Sequence, residues 1–160
     1  MKSDYELKRA VDRYADTVRR ICLLYLKNYH DTEDIFQNVF LKYCLYNKEF
    51  QNDEHEKAWI IKVTVNACKD FLKSFYHKNI MPVEAIQDMA VNADNDQSLV
   101  LEAVLSLPQK YKDTVYLFYY EGYTASEISK ITGKKENTIY TFLARARKLL
   151  KEMLGGEDFE

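Results

Sequence analysis

Leu7, Val11, Tyr14, Val18, Ile21 and Tyr25 recur at alternating steps of four and three. That spacing lines one face of a helix and predicts an element over residues 4–28. Ser3-Asp4-Tyr5-Glu6 supplies its start as a capping box, in which Ser3 and Glu6 satisfy each other's backbone N–H. Ile35, Phe36, Val39, Phe40 and Tyr43 give a second helix a wide apolar face. Asp31 is its expected cap, Glu33 and Asp34 suit its positive end, and it should run to Asn47. A polar loop, Lys48 to Glu56, follows. Ala58, Ile61, Val65, Cys68, Leu72 and Phe75 then predict a third helix of about 22 residues, roughly 33 Å long.

Residues 79–98 break this periodicity. Pro82 disfavours a helix interior, and Glu84, Asp88, Asp94 and Asp96 with Asn92 and Asn95 read as a solvated acidic linker. Leu99 to Leu107 predicts a short helix stopped before Pro108, and the next should run from Pro108 to Tyr120 and end at Gly122. Thr124-Ala125-Ser126-Glu127 is a second capping box and opens a helix to Ile131. Gly133 breaks it, Lys134 and Lys135 complete the turn, and a last helix runs from Glu136 to Met153. Ile139, Leu143, Ala146, Leu150 and Met153 form its apolar face.

Composition narrows the class. Six Gly and Pro among 160 residues are too few for a hairpin-rich sandwich or barrel. Uninterrupted apolar runs reach six residues, against about twenty for a membrane span. The charged N-terminus lacks the apolar segment of a signal peptide, so a cytoplasmic location is expected. Cys22, Cys44 and Cys68 are widely spaced and read as small buried hydrophobes. No pair among them or His30, His55 and His77 has zinc-site spacing, so neither a metal nor another cofactor is expected. No Gly-rich phosphate loop or paired-carboxylate motif suggests catalysis, so no catalytic residue is assigned.

Net charge is −2, but its distribution says more. Residues 1–77 hold 13 basic and 12 acidic side chains, residues 78–98 hold one and four, and residues 124–154 hold seven and three. The basic excess falls on the short helix, Gly turn and longer helix that together make a helix-turn-helix candidate. In that motif the second helix enters the major groove. Asn137, Tyr140, Thr141 and Ala144 occupy its readable face, while Arg145, Arg147, Lys148 and Lys151 can reach phosphates. A helical hairpin with a solvated basic face is the alternative from periodicity alone.

The stretches Leu107 to Leu117, Glu121 to Ile128 and Leu143 to Leu150 resemble region 4 of the extracytoplasmic-function sigma factors, a branch of the bacterial sigma-70 family. Asp31 to Lys42 resembles region 2.2, and Ala58 to Lys73 resembles regions 2.3 and 2.4. These stretches occur in the family's order. The resemblance implies an RNA polymerase sigma factor that joins the core enzyme, directs it to promoters and helps to melt them, without covalent chemistry of its own. It implies docking on the β′ clamp helices through Asp34, Gln37, Phe40 and Lys42, and a second contact on the β flap. It implies minus-ten recognition by Trp59, Lys62, Asn66, Lys69, Asp70 and Lys73, with the preceding loop capturing an unstacked base. Minus-thirty-five recognition falls on Lys134, Lys135, Asn137, Thr138, Tyr140, Thr141, Ala144, Arg145, Arg147 and Lys148. The acidic linker would thread the RNA exit path, and an anti-sigma factor is a further implied partner.

Two departures modify these expectations. The arginine run that usually follows the third helix is here Lys73-Ser74-Phe75-Tyr76-His77-Lys78. Tyr140 and Phe142 stand where the family commonly has Lys or Arg, and a neutral face cannot make bidentate contacts to guanine. Asn137, Thr141 and apolar contact with thymine methyls are expected to read the minus-thirty-five element instead. The expected fold is all-α, with a three-helix module over 1–78, a linker over 79–98, a helix-turn-helix module over 99–154 and an acidic tail over 155–160. Two alternatives remain open on the sequence: a sigma-like interaction protein that no longer reads DNA, and a free-standing helix-turn-helix regulator.

Overall fold

The computed structural model describes residues 1–77 and 95–153. The chain divides into two compact units, Met1–Ala90 and Val91–Glu160. The first contains α1 (Asp4–Tyr25), α2 (Tyr29–Leu45) and α3 (Asp53–His77). The second contains α4 (Asn95–Leu105), α5 (Gln109–Val115), a π-helical turn (Tyr116–Tyr120), α6 (Ala125–Thr132) and α7 (Glu136–Met153). The described residues include no strand.

In the first unit each helix packs on the other two. Tyr14, Val18 and Cys22 of α1 meet Ile35, Val39, Phe40 and Tyr43 of α2 and Ile60 and Cys68 of α3 in one core. The Cys22 and Cys68 sulfurs lie 3.9 Å apart. Cys44, expected to be buried, is only half-buried. The Ser3–Glu6 capping box forms in both directions. α1 stops at Tyr25, earlier than its apolar spacing suggests, because Leu26 turns into extended backbone. The cap of α2 is Asn28 rather than Asp31: the Asn28 side chain accepts the Asp31 N–H at 3.2 Å. α3 also begins before its first periodic apolar residue. Asn52 captures the His55 N–H at 2.8 Å, and three acidic residues complement the positive first turn.

Buried polar groups in this core are paired. Glu56, 6% exposed, accepts from the Tyr14 hydroxyl at 2.9 Å and the Tyr43 hydroxyl at 2.7 Å. This carboxylate joins all three helices.

In the second unit, α5 is the central element: Tyr111 to Leu117 are buried without a break. The α-helix expected to reach Tyr120 changes at Tyr116 to a wider turn, where the Glu121 N–H bonds to the Tyr116 carbonyl at 3.1 Å. The wider turn spreads the bulky run Tyr116-Leu117-Phe118-Tyr119-Tyr120 over a larger arc, and Tyr116 stacks on Tyr120 at 4.9 Å. α4 starts at Asn95, so the last positions assigned to the linker are helical. The remainder of that linker assignment, 79–94, and the tail assignment, 155–160, lie outside the described residues.

Candidate partner and nucleic-acid interfaces

On α2, burial against α1 and α3 fixes which side faces out. Asp34, Gln37, Asn38, Leu41, Lys42 and Leu45 are exposed and follow helical spacing along one stripe. Leu41 and Leu45 are each 57% exposed, although both are large and apolar. Phe40, assigned to this surface from sequence, lies on the opposite side. It is 5% exposed and its ring sits 4.9 Å from Phe36. This placement follows from the 100° turn per residue: Phe40 and Leu41 are neighbours in sequence but belong to different faces. Arg19 braces this helix from α1. Its guanidinium pairs with Glu33 at 3.2 and 3.3 Å and covers the Phe36 ring at 4.2 Å.

On α3, Lys62, Asn66, Asp70 and Lys73 are exposed, and Lys69 is half-buried. Their steps of four, four and three, with Lys69 beside Asp70, make a polar stripe along the helix. Trp59 is half-buried in an aromatic cluster. It lies 4.6 Å from Tyr46 and 5.6 Å from Phe50, ring to ring, and meets the edge of Tyr43 at 6.2 Å. Tyr43 and Tyr46 both stack on Phe50. Tyr43, Tyr46 and Phe50 of this cluster line a groove of about 490 Å³ beside the loop 46–52, with Trp59 behind them.

The helix-turn-helix is tightly tied. Thr124 and Glu127 form their capping box, and Gly133 closes α6 at φ +82°, where a side chain would be strained. Ser129 donates to the Lys134 carbonyl at 2.6 Å. The Lys134 ammonium, in the turn assigned to minus-thirty-five recognition, grips the Asp113 carboxylate of α5 at 2.8 and 2.9 Å. Lys135 is exposed at the start of α7, and its carbonyl accepts the Ile139 N–H at 3.0 Å.

Ile139, Leu143, Ala146 and Leu150 bury one side of α7. Asn137, Tyr140, Thr141, Ala144, Arg145, Arg147 and Lys148 are exposed, and Thr138 is half-buried. Tyr140 is 59% exposed, so the neutral face inferred from sequence does point outward. Met153, expected on the apolar face, is exposed. Arg147 lies on the flank and donates through Nε to the Tyr119 hydroxyl at 3.0 Å.

Comparison with known proteins assigns both units. The family model of "Sigma-70 region 2" matches residues 10–75, and that of "Sigma-70, region 4" matches residues 97–150. The RNA polymerase sigma factor SigV of Bacillus subtilis (strain 168) is 32% identical over 141 residues, 87% of this chain and 85% of the relative. The chain belongs to the sigma-70 family, as an extracytoplasmic-function RNA polymerase sigma factor. Its function is that of a sigma factor in transcription initiation. A second relative, the ECF RNA polymerase sigma factor SigW of the same organism, is 23% identical over 90% of this chain and 86% of its own.

Solved structures show the same fold. The sigma factor RpoE in complex with the anti-sigma factor NepR from Bartonella quintana matches with a TM-score of 0.74 at 17% identity, covering 96% of this chain and 99% of that one. CnrH in complex with the cytosolic domain of CnrY matches at 0.62 and 15%, over 98% and 92%.

Within this sigma factor the sequence reading missed three features. Leu41 and Leu45 look like ordinary core residues until the orientation of α2 is known. Tyr43, Tyr46 and Phe50 converge with Trp59 only when the loop folds back. Lys2 precedes every motif and still reaches that cluster. No described helix is long and apolar enough to cross a membrane.

Proposed function

We propose a division of labour between the two units. The α2 stripe of Asp34, Gln37, Leu41, Lys42 and Leu45 docks on core RNA polymerase at its β′ clamp helices. The polar stripe of α3 and the loop 46–52 open and hold the minus-ten element, with Lys62, Asn66 and Lys73 facing DNA and Trp59 supporting the loop. The outward face of α7 reads the minus-thirty-five element, and its unit also meets the β flap. Asn137, Thr141 and Tyr140 face bases, while Lys135, Arg145 and Lys148 face phosphates. The protein works in the cytoplasm and leaves covalent chemistry to the polymerase. An anti-sigma factor, as in the RpoE complex, would cover the same two faces.

The observation that carries this reading is the exposed α2 stripe, where two large leucines stand in water amid polar groups. Burying one leucine at an interface contributes about 1.5–3 kcal/mol. Leu41→Glu is therefore expected to weaken core polymerase binding at least tenfold while leaving stability nearly unchanged. Phe40→Ala is expected to do the reverse and destabilise the unit by about 3–5 kcal/mol. Fluorescence-anisotropy titration with core enzyme and urea unfolding separate the two. Tight binding by a folded Leu41→Glu chain would remove this stripe from the interface.

The whole reading is tested by transcription of fragmented genomic DNA with purified core polymerase, with and without this protein. New transcript starts that share paired upstream elements are expected. Polymerase binding without new starts would instead favour the sigma-like interaction protein.

A further inference from the structure

Lys2 is held at both of its ends. Its backbone N–H donates to the Cys44 carbonyl at 2.9 Å, and its ammonium donates to the Tyr46 carbonyl at 2.7 Å. The same ammonium lies 5.0 Å from the Tyr43 ring centre and 5.4 Å from those of Tyr46 and Phe50. A capping cation at the C-terminal end of α2 is electrostatically reasonable in itself. The site around it adds a further demand. Lys2, Arg9 and Lys48 line the groove with Glu6, Glu49, Asp53 and Glu56. Arg9 lies 3.5 Å from the Asp53 carboxylate, so its charge is already opposed. Without Lys2 the side chains lining the groove would hold two cations against four carboxylates, beside the Met1 amine and at the negative end of a helix, with Asp53 also paired to Arg13 at 3.1 Å. Such a groove offers stacking surfaces and acceptors for base amino groups, but it repels a phosphate.

We infer that Lys2 is a DNA-binding residue of promoter opening: its ammonium leaves the Tyr46 carbonyl and pairs with the phosphate of the nucleotide whose base enters the aromatic groove. The inference rests on the proposed reading of the loop 46–52 as the base-capturing element. The backbone N–H bond to the Cys44 carbonyl does not depend on the ammonium, so rotation of the long side chain can move the charge from the Tyr46 carbonyl without unfolding α1. A captured base stacking on the aromatic cluster contributes about 1–3 kcal/mol, enough to displace a partly exposed cation from the ring faces.

The test uses holoenzyme assembled from the full chain and core polymerase. The probes are a single-stranded oligonucleotide carrying a mapped minus-ten segment and a duplex carrying only the minus-thirty-five element. Lys2→Met keeps the apolar stem and removes the charge; Lys2→Arg keeps the charge. For the single strand, Lys2→Met should bind more weakly, with the slope of log affinity against log salt reduced by about 0.7. Lys2→Arg should restore the slope, and the duplex should bind unchanged. An unchanged slope, an equal loss on both probes, or tighter binding by Lys2→Met would overturn the assignment, the last by making Lys2 a plug. Wild-type holoenzyme that ignores the single strand would overturn the base-capture reading as well.

Discussion

Replacing Glu56 by alanine destabilises the N-terminal unit by about 2–4 kcal/mol, because it strands buried phenolic hydroxyls whose desolvation is then uncompensated. Tyr14 and Tyr43 are 4% and 2% exposed, and both donate to this carboxylate. Tyr14 can turn to the Asp53 carbonyl, 3.5 Å away; Tyr43 has no such second acceptor among the described residues. Glu56→Gln keeps one acceptor oxygen and should cost less. Trp59 is the chain's one tryptophan and packs beside Tyr43, so its fluorescence during urea unfolding follows this unit. A loss below about 1 kcal/mol in Glu56→Ala would show that the pair of hydrogen bonds is replaceable by water.

The same site makes the unit sensitive to alkali. Burial, with the Glu56 hydrogen bond and charge, raises the Tyr14 pKa from 10.0 to about 12 and raises that of Tyr43 further. Below pH 10 these phenols are protonated in both folded and unfolded chains, and their contribution is fully present. Above it the unfolded chain loses protons that the folded chain keeps, so stability falls as pH rises through the folded values. Glu56→Gln removes the charge and should flatten that fall, read by Trp59 fluorescence at a series of alkaline pH values.

Lys134→Met destabilises the C-terminal unit by about 3–5 kcal/mol. Asp113 is 4% exposed, and the substitution takes away the ammonium that meets both of its oxygens. Removing one partner of a buried pair costs more than the pair itself contributes, even though the Thr114 N–H at 2.7 Å still holds the Asp113 carboxylate. The companion variant Lys134→Met/Asp113→Leu should recover much of the loss. Thermal unfolding by far-ultraviolet circular dichroism measures both, and Trp59 fluorescence should show the other unit unaffected. Because Lys134 sits in the turn before α7, the single variant should also weaken minus-thirty-five binding more than Lys135→Met does. Equal stability of Lys134→Met and wild type would show that the ion pair with Asp113 contributes nothing to the fold.

Local chemistry made much of this protein legible. The two capping boxes, Ser3–Glu6 and Thr124–Glu127, form as read, because each is completed within four residues. Gly133 ends α6 where its conformational freedom is needed. The apolar steps of α1 and α7 locate their buried sides, and Tyr140 and Thr141 mark the neutral outward face of α7. The order of the region 2 and region 4 motifs was enough to name the family.

What the sequence left open depended on distance and on small rotations. An error of one position on α2 exchanges Phe40 for Leu41, and periodicity alone does not decide which side of a wide apolar helix meets its neighbours. Asn28 displaced Asp31 as cap because both are competent acceptors, and the path of the chain from α1 chose between them. The grip of Lys134 on Asp113, 21 positions away, is invisible to a local pattern. So is the reach of Lys2 to the aromatic groove across 44 positions. Short-range hydrogen bonding and apolar spacing are written into neighbouring residues, so sequence determined the helices and the family. The partner of each charge is set by which helices pack together, and that only the tertiary structure decided.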